Sequence, residues 1–413
     1  MKSSVNFVKD LMKQKNLPFD SITDDLIKEL YSEFINAIML AERTAYLNNN
    51  PDDDGNGYRP KTLQTAGDNI DICVPRTRSK NFRPAILPPP FQRYTRDYKE
   101  LVYNLMAANN SKAQIREIFN NMGFSLSESA IDEIHKELLV KIQDFKTRQL
   151  PEDLAVLFID GKYISIKQDN KVQQMVLYIL LGYDLDAKKH ILGYYVFSGK
   201  ETINQWKKVF NDLINRNLKN VLLFVCDNLS GMTDTLNILF DNPDIQLCLV
   251  HIKRNIRKHL HASDADSIIA KIDELKTSNL SAKDAADAFR TFLLPFRNSY
   301  NSFVSKLSAD ADYIFTFLGY PQQLHKIIYS TNPVESLNNQ IEKLVVKYEG
   351  YFQSMNILDI NLFLLKSRWE FKWLKNVSPF FAKFSAFFRK KLFLKKNSLS
   401  VDNTAFEKNT HNS

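Results

Sequence analysis

The sequence predicts an α/β fold built on a mixed sheet, and two patterns carry that prediction. Strand-like segments between Leu154 and Ser198 follow one another with only short polar turns between them, which is typical of an antiparallel meander. Two later apolar runs, starting at Val221 and Ile245, alternate with helical periodicity. Because the run from Val221 to Cys226 is unbroken and too short for a lone helix, we expect a strand buried on both faces.

The composition fits a globular protein and limits its partners and location. The 413 residues allow about two or three domains, and 44% hydrophobic with 25% charged residues is ordinary for a globular chain. The net charge of +8 favours a polyanionic partner only mildly. Three cysteines without a CxxC pair predict a reducing compartment. We expect neither a signal peptide nor a membrane helix, since no run approaches ~18 apolar residues, and we therefore expect a cytoplasmic protein.

The first 97 residues are predicted to be a helical region followed by a basic segment. Residues 1–57 show the pattern of a long helix and a polar loop. In residues 58–97, basic side chains are interleaved with proline, aromatic and β-branched residues, which fits an extended arm or small β unit lying along phosphates. A solvated, proline-stiffened linker is an equally open interpretation. The phosphate contacts predicted here are Arg59, Lys61, Arg76, Arg78 and Arg83.

Residues 98–150 return to helical periodicity. Ser111 and Gln114 have the spacing of a capping box, which marks the start of one helix. Three helices with a short turn before the last resemble a helix-turn-helix unit. The acidic residues Glu128, Asp132 and Glu133 at the start of the last helix would repel phosphate. A plain helical packing unit therefore remains an open alternative.

Residues 151–255 are predicted to form the first part of an α/β core. The strand LAVLFID ends at Asp160, and we expect Gly161 to begin a tight turn into YISIKQ. The order of elements after Leu154 is β-β-β-α-β-α-β, which is the ribonuclease-H-like plan of a mixed sheet with helices on its faces. Asp227 directly follows the Val221 strand, at the carboxyl end where open α/β sheets place ligands.

The remaining chain is predicted to be helical. Residues 256–330 have the composition of an all-helical insertion, residues 331–375 return to the core with one further helix, and residues 376–413 form a basic aromatic tail. Between Leu362 and Lys396, aromatic and basic residues alternate, which suits base stacking and phosphate contact, although inward packing of the aromatics is equally open. The DNA contacts predicted beyond residue 250 are Lys253, Arg254, Arg368 and Lys372.

Three acidic residues are candidates for metal-dependent chemistry, and each has a structural alternative. Asp160 with Gly161 is also a common hairpin turn, Asp227 is also a candidate cap for the next helix, and Glu335 completes a capping box with Asn332. Together, Asp160, Asp227 and Glu335 suffice to hold two Mg²⁺ ions, because Mg²⁺ prefers oxygen ligands and keeps several waters. Such a pair of ions supports an in-line phosphoryl displacement.

Cys248 and His251 form a Cys-x-x-His pattern close to these carboxylates in the predicted sheet. One cysteine and one histidine make only half of a zinc site, and no second pair at ligand spacing is evident. We therefore expect the two side chains to position the neighbouring carboxylates or the substrate. A lone buried thiol beside a hydrogen-bonded histidine is the alternative.

The chain resembles the Mutator-type transposases of bacterial insertion sequences from about Gly55 to Trp373. The resemblance rests on segments that occur in the family's order and at similar separations: GNGYRPKTLQT, VPRTRSKNFRPAIL, LFIDGKYISIK, GKETINQW, VCDNLSGM, QLCLVHIKRN, STNPVESLNNQIEK, GYFQS and KSRW.

This resemblance implies a function and a set of site residues. Asp160, Asp227 and Glu335 match the family's acidic triad, which makes them the expected catalytic residues and ligands of Mg²⁺, with Mn²⁺ as a substitute. The supporting residues that lie in matching segments are Cys248, His251, Trp206 and Asn338. The expected partner is double-stranded DNA, both the terminal inverted repeats of an element and the target, bound by a homo-oligomer on the bacterial nucleoid.

The sequence departs from the family pattern at two places. Asn228 stands where the family commonly has glycine, and no basic residue occurs at Gln340 or Glu342, where one is usual. Two other functions therefore remain open beside transposition. A structure-specific nuclease would share the triad and stop at hydrolysis, and an inactive DNA-binding derivative would keep only the basic surfaces.

Overall fold

The structure of the protein, a computed structural model, describes residues 24–410 except 66–68, 89–93, 123, 125, 187 and 376–382. The chain divides into two compact units, Met1–Leu139 and Val140–Ser413. The part of the predicted N-terminal helix before residue 24 lies outside the described residues, as do residues 376–382 and 411–413 of the predicted basic tail.

The first unit begins with a helix packed on a two-stranded antiparallel ribbon. These elements are α1 (Asp24–Asn49), β1 (Gly55–Gln64) and β2 (Asn69–Thr77). Ile35 and Met39 of α1 pack against Leu63, Ile70 and Ile72 of the ribbon, and all five are at most 4% exposed. Burial alternates along β2, as expected for a strand with one face on a core. The basic segment is therefore a small β unit, and the linker interpretation is wrong.

Three helices follow: α2 (Arg96–Ala107), α3 (Lys112–Asn121) and α4 (Glu128–Thr147), of which α4 continues into the second unit. The predicted capping box of Ser111 and Gln114 is confirmed, with both reciprocal hydrogen bonds present at the start of α3. Tyr98, Phe119 and Phe124 stack edge to face or tilted in the core of these helices. The helix-turn-helix interpretation of this region stays a prediction.

The second unit contains a five-stranded mixed sheet with the order β5-β4-β3-β6-β7. Its strands and the helices between them are β3 (Asp153–Gln168), β4 (Lys171–Asp184), β5 (Lys189–Ser198), α5 (Ile203–Asn215), β6 (Asn220–Cys226), α6 (Met232–Leu239) and β7 (Asp244–Leu247). The first three strands pair antiparallel, whereas β6 and β7 continue the sheet in parallel with β3. This order confirms the predicted α/β class, its mixed sheet and its sequence of elements.

The predicted turn at Asp160 is wrong. β3 runs without interruption for 16 residues and pairs with β4 through Asp160, opposite Ile179, and Gly161, opposite Tyr178. Buried side chains flank the dipeptide at Ile159 and Ile164, so burial in the sheet outweighs the local turn preference. Asp160 consequently lies within a continuous strand.

Most of the described residues in the rest of the second unit are helical. Its helices are α7 (Leu249–His259), α8 (Ala262–Lys276), α9 (Ala282–Leu293), α10 (Arg297–Ala309), α11 (Ala311–Phe315), α12 (Gln322–Ile328), α13 (Asn332–Lys347), α14 (Met355–Lys375) and α15 (Ser385–Thr410). Between α13 and α14 the backbone returns to the sheet, where Phe352 pairs with Ile166 of β3. Within the described part of the chain, no helix is long and apolar enough to span a membrane.

Some aromatic residues of the last two helices pack inward, whereas Phe371 and Phe393 are exposed. Trp369 is 6% exposed and its Nε1 donates a hydrogen bond to Gln340 Oε1 at 2.8 Å. Phe388 of α15 is fully buried in the core. Inward packing, the second of the two open interpretations, is therefore correct for Trp369 and Phe388 but not for Phe371 and Phe393. Arg368 and Lys372 of α14 nevertheless have exposed side chains.

Candidate active site

Two of the predicted acidic residues lie at the same end of neighbouring parallel strands. The parallel pairing of β3 with β6 ends at Phe158 and Val225. Asp160 lies two residues beyond this point on β3, and Asp227 directly follows the end of β6. This is the carboxyl end of the parallel pair, where α/β sheets present functional groups. Gly231, with φ of +81°, occupies the N-cap position of α6, so the capping role considered for Asp227 is wrong.

Helix α13 brings the third acidic residue to the same place. The Asn338 side chain is 9% exposed, and its Nδ2 donates a hydrogen bond to Asp160 Oδ2 at 2.7 Å. Glu335 precedes Asn338 by three residues and therefore lies on the same face of the helix. A second contact, between Lys162 Nζ of β3 and Glu342 Oε2 at 2.5 Å, aligns the helix along the strand.

The capping box predicted for Glu335 is not formed. The N-cap residue of α13 is Thr331, it makes no side-chain cap hydrogen bond, and Asn332 is already the first helical residue. The helix start places Glu335 in the first turn, where the helix dipole favours a negative charge. Its carboxylate is therefore available to the site.

The charges of the three acidic residues act on one another. Burial raises the pKa of the Asp160 carboxyl to about 6, and the charges of Glu335, Asp227 and Glu201 add to this effect, although the nearby His251 opposes it. A carboxyl pKa rises in this way when its charged form is poorly solvated and close to other anions. The site thus concentrates negative charge around Asp160.

Cys248 and His251 connect the carboxylates to the start of α13. Cys248 Sγ accepts hydrogen bonds from the backbone N–H and the hydroxyl of Thr331, both at 3.4 Å. His251 Nδ1 lies 3.5 Å from Asp227 Oδ1. This nitrogen is buried, and no acceptor among the described residues takes a well-directed hydrogen bond from it.

The surroundings of His251 favour its protonated form. Burial would lower the pKa of His251, but its contact with Cys248 and the negative charges of Asp227 and Asp160 raise it to about 9. Burial would likewise raise the pKa of the Cys248 thiol, but His251 and Thr331 lower it below its ordinary value. The positioning role of both residues stays a prediction.

The loop that carries Asp227 is tied to the helical segment by Asn228. The backbone N–H of Asn228 donates to Asp227 Oδ1 at 2.6 Å, and its Nδ2 donates to Asp310 Oδ2 at 2.6 Å. Asp310 is the N-cap residue of α11. A glycine at position 228, which is common in the family that the sequence resembles, would lack this link. The residues at the other two positions that depart from the family pattern also make side-chain contacts. Gln340 binds Trp369, and Glu342 pairs with Lys162.

Trp206 binds Glu201, an acidic residue that was not among the predicted site residues. Its ring is 1% exposed and stacks on Tyr178 with 4.0 Å between ring centroids. Its Nε1 donates a hydrogen bond to Glu201 Oε1 at 2.7 Å. Glu201 lies in the segment GKETINQW, five residues before Trp206, but nothing local in that sequence marks it as a neighbour of Asp160.

The predicted DNA contacts are mostly exposed, and a few are already paired. Arg59 and Arg76 are exposed on the ribbon, Lys61 is half-buried there, and Arg254, Arg368 and Lys372 are exposed in the second unit. Arg78 pairs with Asp54 at 3.1 Å, and Lys253 pairs with Asp273 at 2.5 Å. Arg83 donates to the carbonyl of Pro88.

The chemical type of the three acidic side chains fits a magnesium ion. Asp160, Asp227 and Glu335 offer carboxylate oxygens, the ligands that Mg²⁺ prefers. The pKa of Asp160 is raised mainly by burial and also by the neighbouring carboxylates, whose repulsion a cation would relieve. Among the residues that the structure describes, no group of three His, Cys, Asp or Glu side chains is arranged to hold one ion. The carboxylates therefore need side-chain adjustment to ligate a metal together.

Comparison with known proteins identifies the family. The model of the family described as "Transposase, Mutator family" matches residues 2–364. The chain belongs to the Mutator family of transposases. The similar proteins of this group include the transposase for insertion sequence element IS1201 of Lactobacillus helveticus, which is 28% identical over 82% of this chain and 93% of that protein. The transposase for IS905 of Lactococcus lactis subsp. lactis is 27% identical over 84% of this chain and 90% of its own length.

Further matches extend this comparison. The transposase for IS256 in transposon Tn4001 of Staphylococcus aureus is 24% identical over 84% of this Mutator-family chain and 92% of that protein. A solved Drosophila P element transposase strand transfer complex matches 42% of this chain and 46% of that chain at 13% identity, with a TM-score of 0.25. That score is too low to show a shared fold.

Proposed function

We propose that this Mutator-family protein binds the terminal inverted repeats of a mobile element and catalyses Mg²⁺-dependent cleavage and transfer of DNA strands. The observation that carries the proposal is the convergence of Asp160, Asp227 and Glu335, with Asn338 binding Asp160 at 2.7 Å from the same helix face as Glu335. The mixed sheet would then be the ribonuclease-H-like core, and residues 256–330 the helical insertion that interrupts it.

The proposed reaction has two phosphoryl-transfer steps. Water displaces one strand at the element end and leaves a 3′-hydroxyl and a 5′-phosphate, after which that hydroxyl attacks a target phosphodiester and displaces its 3′-oxygen. Asp160 and Asp227 on adjacent strands, with Glu335 on α13, would hold divalent ions through their carboxylate oxygens. Such ions would supply activation of the attacking oxygen and stabilisation of the leaving one. Mn²⁺ serves as a substitute because it accepts the same ligands.

The remaining residues hold the site and the DNA. Asn338 fixes one oxygen of Asp160, and Cys248 anchors the residue before α13 through two hydrogen bonds. The exposed arginines of the ribbon and of α7 and α14 supply cations for DNA phosphates. Binding two element ends at once would call for a homo-oligomer, and chromosomal DNA as substrate would place the protein on the bacterial nucleoid.

A strand-cleavage and joining assay tests this function. The purified protein is incubated with labelled DNA from both flanks of its gene, a supercoiled target plasmid, and Mg²⁺ or Mn²⁺. We expect 3′-end nicks and joining of the labelled strand to the plasmid, both abolished by EDTA. Cleavage without joining of supplied 3′-hydroxyl ends would favour the nuclease. DNA binding that is equal in EDTA, with no nicking in either metal, would favour the inactive derivative.

The ribbon is expected to contribute phosphate contacts. Replacing Arg59 or Arg76 by alanine should weaken DNA binding uniformly across sequences and reduce the slope of log affinity against log salt by about 1 for each lost contact. Arg78→Ala is the matched control, because its guanidinium already pairs with Asp54 at 3.1 Å, and it should change the slope less. Fluorescence anisotropy at several salt concentrations measures the slope, and slopes equal to that of the parent for Arg59→Ala and Arg76→Ala would remove the ribbon from the DNA interface.

A further inference from the structure

We infer that Glu201 is a fourth carboxylate of the catalytic site, which binds the same divalent cations as the triad and is held in place by Trp206. This inference rests on the proposed function, since it assigns a further oxygen ligand to the same site. Glu201 directly precedes Thr202, the N-cap residue of α5, so the helix start fixes its backbone beside the sheet.

Glu201 is oriented by a side chain that has little freedom to move. Trp206 is 1% exposed and stacks on both Tyr178 and Phe210, with 4.0 and 5.6 Å between ring centroids. From this fixed ring, Nε1 donates to Glu201 Oε1 at 2.7 Å. Among the described residues, no donor binds the other oxygen, Oε2. One oxygen is therefore fixed and the other is available to a ligand.

Space for this carboxylate is provided by the absence of a side chain next to Asp160. A Cβ atom at Gly161 would lie 3.0 Å from Glu201 Oε1 and 3.0 Å from a ring carbon of Tyr178. Contacts that short force a neighbour to move, and Tyr178 is confined by the Trp206 stack. Glycine at 161 thus lets Glu201 approach the strand that carries Asp160, although no turn is formed there.

Glu201 also interacts electrostatically with the triad. Burial raises the pKa of Glu201, and the charge of Asp227 adds to that effect, while the Trp206 hydrogen bond and His251 oppose it. The charge of Glu201 in turn acts on Asp160. Carboxylate oxygens are the ligands that Mg²⁺ prefers. Among the described residues, no group of three His, Cys, Asp or Glu side chains is arranged to hold one ion, so Glu201, like the triad, needs side-chain adjustment to ligate a metal.

Manganese binding to the full-length protein without DNA tests the inference directly. Glu201→Gln should weaken Mn²⁺ binding about tenfold, and Trp206→Phe should weaken it less, because it leaves the carboxylate and removes only its donor. Glu152→Gln, a half-exposed residue at the opposite end of β3, is the matched control and should bind Mn²⁺ like the parent. Electron paramagnetic resonance titration measures free Mn²⁺, and thermal denaturation verifies that each variant is folded.

Two further variants separate the possible outcomes. Gly161→Ala should displace Glu201 and weaken Mn²⁺ binding even if Glu201→Gln is poorly folded. Asp160→Asn reports on the proposed function, because it should weaken binding whether or not Glu201 takes part. If Asp160→Asn binds Mn²⁺ more weakly but Glu201→Gln and Gly161→Ala bind it like the parent, the role inferred for Glu201 is overturned. The triad is not affected by that result. Parental binding in Asp160→Asn would overturn the triad itself.

Discussion

Replacing Asp160 by asparagine is expected to abolish strand cleavage and to leave DNA binding intact. The change removes a proposed charged metal ligand, and losing such a ligand should cost several kcal/mol of transition-state stabilisation; about 4 kcal/mol corresponds to roughly a 10³-fold loss of rate. The fold should survive, because an asparagine oxygen can still accept the hydrogen bond that Asn338 donates to Asp160 Oδ2. Asp227→Asn and Glu335→Gln should behave in the same way.

Initial rates of nicking in Mg²⁺, compared with gel-shift affinities, measure the two properties separately. Asp234→Asn is a suitable control, because this acidic residue is exposed in the first turn of α6 and lies only seven positions after Asp227. It should cleave at a rate close to that of the parent. If Asp160→Asn retained cleavage within about tenfold of the parent, a metal-dependent mechanism based on this triad would be excluded.

The sheet could be predicted from the sequence because its signals are local. The apolar run from Val221 to Cys226 is β6, and the order of strands and helices follows from the change between alternating and helical periodicity. The turn at Asp160 was predicted wrongly for the same reason. Asp-Gly favours a hairpin locally, but pairing with Ile179 and Tyr178 of β4 holds both residues in a straight strand.

The site could be predicted only in part. Asp160 and Asp227 are predicted because each ends or follows an apolar run, and Glu335 because it stands at the start of a predicted helix, while their match to an acidic triad comes from the family resemblance. Glu201 carried no signal, since its neighbour Gly161 is 40 positions away (201 − 161) and its donor Trp206 resembles an ordinary core residue. Contacts between distant positions depend on the folded sheet, which a pattern of residue types does not specify.

The contacts of the basic C-terminal helix also could not be predicted from residue types. Its lysines were predicted to lie in a DNA-holding segment, yet Lys391 and Lys395 bind the core carboxylate of Asp244, at 2.8 and 2.5 Å. Lys396 pairs with Asp153 at 2.9 Å. Both acidic residues begin strands, β7 and β3, so they lie at the opposite end of the parallel strands from Asp160. In this structure these lysines therefore stabilise the fold.

Replacing Asp244 by asparagine is accordingly expected to lower the free energy of unfolding by about 3–5 kcal/mol, the usual cost of removing one partner from a largely buried ion pair. The Asp244 side chain is 21% exposed, and it accepts a further hydrogen bond from the Tyr320 hydroxyl at 2.7 Å. Lys391 also lies over the Tyr320 ring, 3.6 Å from its centroid. The neutral amide would leave two ammonium groups facing a site without negative charge.

The pH dependence of stability distinguishes this ion pair from simple packing. Burial alone would raise the pKa of Asp244, but Lys391 and Lys395 hold it below its ordinary value. Because the folded-state pKa is lowered, the stabilisation is fully present above the unfolded pKa of about 3.9 and is lost as the pH falls through the folded pKa. Urea denaturation at several pH values should thus show a constant difference between parent and Asp244→Asn from pH 6 to 8, shrinking in acid below about pH 4.

The matched control is Asp186→Asn, which breaks an exposed ion pair of the same helix. Arg389 and Asp186 are 2.5 Å apart, but their side chains are 54% and 61% exposed, so the change should cost at most about 1 kcal/mol. Equal costs for the two variants would mean that burial does not strengthen the Asp244 contacts. A difference between parent and Asp244→Asn that persisted unchanged into acid would mean that packing of the side chain, and not its charge, holds α15 against the sheet.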